Sequence, residues 1–214
     1  MQQEYSVGEE IANSITHGVG VALSVAGLVA LLTMATVRGD AWQVASFSIY
    51  GASLILLYLA STLYHGLPGR KIKKTFKFLD HASIYILIAG TYTPFTLVAI
   101  RGGWGWSLFG VIWGLAVCGI IFKIKNTGRW GKVSAAVYVL MGWLCIIALH
   151  RMIATISTEG LIWLFAGGVL YTGGLIFYGW KKLPYNHAVW HLFVLGGSIC
   201  HFFAIYYHVP GGTI

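Results

Sequence analysis

Seven stretches of this 214-residue chain run for about 20 residues with few charges, which is the length a helix needs to cross the hydrocarbon core of a bilayer. They are 13–36, 42–66, 76–99, 104–123, 132–150, 161–180 and 186–208, the fifth being the shortest. No water reaches a backbone N–H or C=O within lipid, so a spanning segment must be a helix or part of a closed barrel. Barrel strands need only about 9–11 residues and alternate in polarity; these runs are longer and do not alternate. Charged residues make up 9% of the chain, against about 25% in soluble domains, too few to cover a water-facing surface. The expected fold is all-α: a polytopic membrane protein, a seven-transmembrane-helix bundle forming one domain over residues 1–214.

The net charge of +8 is distributed in a way that sets orientation. Loop two carries Arg70, Lys71, Lys73, Lys74 and Lys77; loop four carries Lys123, Lys125, Arg129 and Lys132; loop six carries Lys181 and Lys182. Those eleven fall on one side, and Arg38, Arg101 and Arg151 on the other. Basic residues favour the cytoplasmic side. The N-terminus is therefore expected in the cytoplasm and the C-terminus outside, in a multi-pass protein of the cell inner (plasma) membrane. Membrane lipids, anionic ones included, are the partners this implies, and no nucleic acid; no oligomeric state follows. The acidic start MQQEYSVGEE is unlike a cleavable signal peptide, which opens on basic residues.

Trp42, Trp104, Trp106, Trp130, Tyr185, Tyr206 and Tyr207 fall near span ends, as in an interfacial aromatic belt. The pairs Gly167–Gly168, Gly173–Gly174 and Gly196–Gly197 allow close helix approach. Pro94 is expected to kink or break the third span. Cys118, Cys145 and Cys200 lie in apolar spans without C-x-x-C spacing and are expected to pack as small hydrophobes.

Against this background the rare polar residues gather at one end. Glu10, Asn13, Ser14 and His17 open the first span, Ser61 and His65 close the second, Asp80 and His81 open the third, and His187 and His191 open the last. In KKLPYNHAVWH, His187 and His191 stand one helical turn apart on one face. Alone, that pair reads better as satisfied interfacial histidines than as metal ligands. With His65 it offers three neutral nitrogen ligands, the number found in catalytic zinc sites that keep one position open. Asp80 is a carboxylate inside a span, where it needs a partner or a function. It is expected at the metal, directly or through a water, or as a proton shuttle; an ion pair with a base of loop two is the structural alternative. Ser61, one turn deeper than His65, is a candidate donor to a substrate carbonyl or oxyanion.

Glu10, Asn13 and His17 are candidates for steadying the ligands by hydrogen bonds. Glu10 also reads as a first-turn acid facing the helix dipole, and Asn13 and Ser14 as N-caps. Thiolates are missing and carboxylates too few for magnesium or calcium, so the expected cofactor is Zn2+. His81 points about 100° away from Asp80 and reads as an alternative partner or a packing residue rather than a ligand. His150, His201 and His208 lie toward the other side and read as satisfied structural histidines.

The blocks EEIANSITH, ASTLYH, FLDHASIYILIAGTYTPF and PYNHAVWHLFVLGGSICHF, in this order and spacing, resemble the hemolysin III family, part of the progestin and adipoQ receptor group that contains the adiponectin receptors. The resemblance covers nearly the whole chain. It implies zinc near the cytoplasmic side on His65, His187 and His191, with Asp80 near the metal-bound water and Ser61 beside the site. It also implies lipid amide hydrolysis, because the wider superfamily includes alkaline ceramidases, and it implies links to membrane fluidity. The hemolysin name implies pore formation. The chain lacks the long N-terminal extension of the animal receptors, so ligand-receptor signalling is not expected.

The leading expectation is a zinc-dependent hydrolase of a lipid amide or ester, its substrate entering laterally from the bilayer, or a regulator of membrane lipid state. The alternatives are a pore-forming cytolysin or channel, and a sensory or structural membrane protein with a structural zinc. A retinal protein is a fourth option, against which the sequence argues strongly, since no lysine follows Lys182 to form a Schiff base in the last span.

Overall fold

The structure, a computed structural model, describes residues 5–126 and 131–209. Its helices are α1 (Val7–Arg38), α2 (Ala41–Gly66), α3 (Arg70–Pro94), α4 (Gly103–Asn126), α5 (Gly131–Gly142), α6 (Leu149–Thr155), α7 (Thr158–Gly179) and α8 (Asn186–His208). A π-helical turn (Phe95–Ala99) prolongs α3, and a 3-10 segment (Trp143–Ala148) joins α5 to α6. With these joins counted as continuous, seven helices among the described residues are long and apolar enough to cross a membrane. The chain is a seven-helix, multi-pass membrane protein.

Local chemistry starts these helices. Ser6 caps α1 in a reciprocal box: its hydroxyl accepts from the Glu9 N–H at 3.3 Å, and the Glu9 carboxylate accepts from the Ser6 N–H at 2.9 Å. Asp40 and Gln43 make the same exchange at the start of α2, at 2.9 and 3.2 Å. Within the spans, buried Thr91, Thr93 and Thr96 return their hydroxyls to carbonyls one turn back, which hides polar atoms from lipid.

The strongest contacts run in a chain from α4 through α3, α2, α1 and α8 to α7. The α5–α6 crossing packs more sparsely and closes the bundle against α3, α4 and α7. Glycine allows close approach between α7 and α8: a methyl group on Gly197 would stand 2.7 Å from the Tyr171 ring, and one on Gly167 3.0 Å from the Gly197 carbonyl. Many large apolar side chains, among them Val111, Leu140, Val169 and Ile176, face outward, the surface a bilayer covers.

Several boundaries differ from the sequence reading. α3 begins at Arg70, so all five bases assigned to loop two ride on its first two turns, and the loop shrinks to 67–69. Long lysine stems permit this by laying methylenes along the helix while the ammonium reaches the interface. The fifth crossing is not the shortest: Gly131–Thr155 has 25 residues and Thr158–Gly179 has 22. It continues through His150 and Arg151, and its middle is 3-10. The Tyr92 hydroxyl supports that change by donating to the Met141 and Gly142 carbonyls at 2.9 and 2.8 Å and accepting from the Cys145 N–H at 2.8 Å. Pro94 does not break the third span; the helix widens into the π turn directly after it, where the Ile100 N–H reaches back to the Phe95 carbonyl at 2.9 Å. Cys145 and Cys200 are buried thiols as expected, whereas Cys118 lies on the outer surface. Arg129, Trp130 and the two ends of the single domain fall outside the described residues.

Candidate metal centre

Four helix ends meet at one end of the bundle. α1 brings Glu10, Asn13 and His17, α2 brings Ser61 and His65, α3 brings Asp80, and α8 brings His187 and His191; all but Glu10 are buried. The start of α8 is pinned locally. Tyr185 takes a left-handed turn with φ 56°, and the Asn186 amide donates to the carbonyls of Phe177 and Tyr178 at 3.0 and 3.3 Å. Last-turn carbonyls such as these, at the end of α7, otherwise lack intrahelical partners. The next residue is His187, and His191 follows one turn on.

One ligand nitrogen from each of His65, His187 and His191 lies within 4.8 Å of the other two. His65 Nδ1 donates to the Glu10 carboxylate at 2.6 Å, and His191 Nδ1 donates to the Asn13 carbonyl at 3.2 Å. That leaves a lone pair on Nε2 of each ring. Both Nε2 atoms, and both nitrogens of His187, are buried without a hydrogen-bond partner. Buried polar atoms are rarely left so. Nitrogen atoms that converge, with the opposite N–H held by a carboxylate or carbonyl, are arranged as metal-binding histidines are. Tetrahedral zinc about 2.1 Å from each nitrogen needs N···N spacings of about 3.4 Å, which lies within the 4.8 Å that bounds the triplet. The donor set fits a three-histidine zinc centre with a fourth position free.

The expected supporting residues divide. Glu10 steadies His65 and also pairs with Lys73 of α3, while still lying in the acidic first turn of α1. Asn13 supplies its carbonyl to His191, and its amide nitrogen lies 3.4 Å from His65 Nδ1. Neither Asn13 nor Ser14 is an N-cap, since Ser6 holds that position; Ser14 instead donates to the Thr62 carbonyl at 3.1 Å. His17 gives no hydrogen bond to any ligand. Its ring lies flat on His191, with centroids 3.5 Å apart and planes 13° apart, and its edge meets Tyr58.

Asp80 does not join the three histidines within 4.8 Å. It lies beside the buried Ser61 hydroxyl. The ion pair with a loop-two lysine is not formed among the described residues. The His81 imidazole lies nearby, its Nδ1 3.8 Å from the Asp80 carboxylate and already engaged with the Lys77 carbonyl at 2.7 Å. From Asp80 and His17 an apolar cavity of about 150 Å³ extends into the bundle past Leu57, Tyr92, Phe95 and Trp143.

Sequence reasoning missed Tyr5. Its ring sits 5.0 Å from that of His187 and 5.7 Å from that of His65, covering the cluster. Burial raises the Tyr5 hydroxyl well above its ordinary pKa, so it stays neutral. The adjacent S-V-G-E capping box was its only signal. Glu9 of that box also accepts from the Tyr185 N–H at 3.2 Å, tying the start of α1 to the α7–α8 turn. Toward the other face, His150 packs on Trp104, His201 Nε2 donates to the Leu164 carbonyl at 3.1 Å, and His208 meets the Ser157 hydroxyl at 2.7 Å.

The family model described as Haemolysin-III related matches residues 5–202. The chain belongs to the haemolysin III family. Among its relatives, Hemolysin-3 of Bacillus cereus is 51% identical over 203 residues, covering 95% of this chain and 93% of that protein. The Hemolysin-3 homolog of Bacillus subtilis (strain 168) is 49% identical over 204 residues, covering 95% and 96%. More distantly, the monocyte to macrophage differentiation factor of Homo sapiens is 28% identical over 204 residues, covering 92% of this chain and 83% of that protein. The match of this haemolysin III chain runs through all four polar blocks.

Proposed function

We propose that this haemolysin III protein binds one Zn2+ through His65, His187 and His191 and hydrolyses a lipid amide or ester. The observation that carries the reading is the buried triplet of unpartnered imidazole nitrogens, two of whose rings are braced from behind by Glu10 and Asn13. Zinc held there supplies Lewis acidity and brings the pKa of a coordinated water toward neutrality. Asp80 takes the proton from the attacking water and returns it to the leaving nitrogen or oxygen. The Ser61 hydroxyl donates to the carbonyl oxygen as negative charge builds there. The apolar cavity receives the acyl chain, which enters laterally from the bilayer, and keeps water from all but its polar end. The excess of Lys and Arg at the site's end of the bundle supports a cytoplasmic orientation, with the N-terminus inside.

The name hemolysin-3, carried by the relatives, points to membrane lysis. The mainly apolar lining of the internal cavity favours a lipid chain over a water path.

The test is metal content per chain by elemental mass spectrometry on protein purified in mild detergent. Wild type is expected to hold one zinc and the His187→Ala/His191→Ala variant none, with membrane insertion retained. A folded wild type that neither contains nor takes up zinc would remove the reading. A zinc-loaded protein that cleaves none of a panel of N-acyl amines and acyl esters would leave a structural metal.

A further inference from the structure

His17 is the one histidine at this end that is buried, lacks any hydrogen bond at either nitrogen, and stands outside the ligand triplet. It is 2% exposed. A buried imidazole left without partners calls for an explanation. Its neighbours on the protein are committed elsewhere. The Tyr58 hydroxyl donates to Ser198 Oγ at 2.7 Å. The Thr16 hydroxyl is taken by the carbonyls of Ala12 and Asn13, at 2.9 and 3.0 Å. The His191 ring lies parallel to His17, so neither ring aims a nitrogen at the other. The remaining side of His17 lines the apolar cavity, at the end it shares with Asp80.

We propose that His17 hydrogen-bonds the polar group of an uncharged lipid whose chain fills the cavity, which makes it a substrate-positioning residue of the site. The proposal rests on the hydrolase reading for the word substrate; the binding role stands without it. A neutral imidazole presents one N–H and one lone pair. An amide or a hydroxyl, which can both donate and accept, can engage either one; a hydrocarbon engages neither. The stack on His191 holds the plane of His17 and so fixes where the lipid's polar group sits relative to the triplet.

The experiment compares dodecanamide with dodecane, each titrated into full-length protein in detergent. Binding is read by displacement of a fluorescent fatty-chain probe, on zinc-loaded and on chelator-stripped samples. Wild type is expected to prefer the amide by about tenfold in both states, as one added buried hydrogen bond would give. His17→Phe keeps the flat stack and removes both nitrogens. It is expected to bring the preference below about threefold with zinc content and dodecane binding unchanged, and His17→Gln is expected to restore most of it. On wild-type protein carrying 15N-histidine, the His17 ring resonances are expected to move with dodecanamide and not with dodecane, which needs no variant to fold.

A His17→Phe protein that keeps the full amide preference overturns the proposal. So does a preference that vanishes when zinc is stripped, which would mean that the metal holds the polar group. Wild type with no preference in either state overturns it as well. Wild type that lacks zinc but shows the His17-dependent preference leaves this proposal standing and removes only the zinc hydrolase.

Discussion

Glu10 is the residue through which the bracing of the metal centre is best measured. Its carboxylate lies 2.6 Å from His65 Nδ1, and the His65 side chain is fully enclosed while that of Glu10 is 23% exposed. Two effects of the carboxylate favour metal binding: it holds the tautomer that leaves Nε2 free, and its charge makes the ring more basic. Loss of such a partner lowers metal affinity about 10- to 100-fold, or about 1.4–2.8 kcal/mol. Glu10→Ala should fall near the upper end, because the other polar group near His65 Nδ1, the Asn13 amide nitrogen 3.4 Å away, is itself a donor and cannot accept the Nδ1 proton. Glu10→Gln keeps an acceptor and loses the charge, so about tenfold is expected. Glu10 also pairs with Lys73, but both groups are partly exposed and such pairs contribute about 1 kcal/mol or less, so Lys73→Met should weaken zinc less than about fivefold. The assay is zinc affinity at fixed pH by competition with a chromogenic chelator, with His65→Ala as the reference for a lost ligand. If Glu10→Ala binds zinc within about twofold of wild type while His65→Ala does not bind it, the bracing argument is wrong.

Asp80→Asn should keep zinc at one per chain, because Asp80 stands apart from the triplet, and should lose turnover of any lipid amide found to be a substrate by at least about a hundredfold; loss of metal in that variant would make the carboxylate a ligand. Tyr92→Phe strands the Cys145 N–H and two carbonyls at the 3-10 segment, so thermal unfolding in detergent should show a loss of about 1–3 kcal/mol; no change would mean that the segment holds its shape unaided. Tags at the two termini, tested by protease in intact cells and in inverted vesicles, should place the N-terminus in the cytoplasm and the C-terminus outside; the reverse result would move the site to the outer face.

Much of this protein follows from its order of residues, because lipid is a demanding solvent. Only a helix can satisfy its own backbone there, so seven low-charge runs were enough to expect seven crossings. The few polar residues stand out for the same reason, and their common position at span ends was legible before any packing was known. The i, i+4 spacing of His187 and His191 sets them on one face by helix geometry alone. Tertiary structure decided the rest. Helix periodicity gives a residue's direction around its own axis but not which neighbour that direction meets; close packing across Gly167 and Gly197, and the Asn186 clasp on α7, set that. Packing brought His65 of α2 to the α8 pair, gave Glu10 a histidine to hold, left Asp80 outside the triplet, and laid His17 flat on His191 where hydrogen-bonded support had been expected. It also brought Tyr5, which lies before the first span, over the cluster. Each of these depends on contacts between residues more than 50 positions apart, and the hydrophobic pattern within one helix carries no record of them.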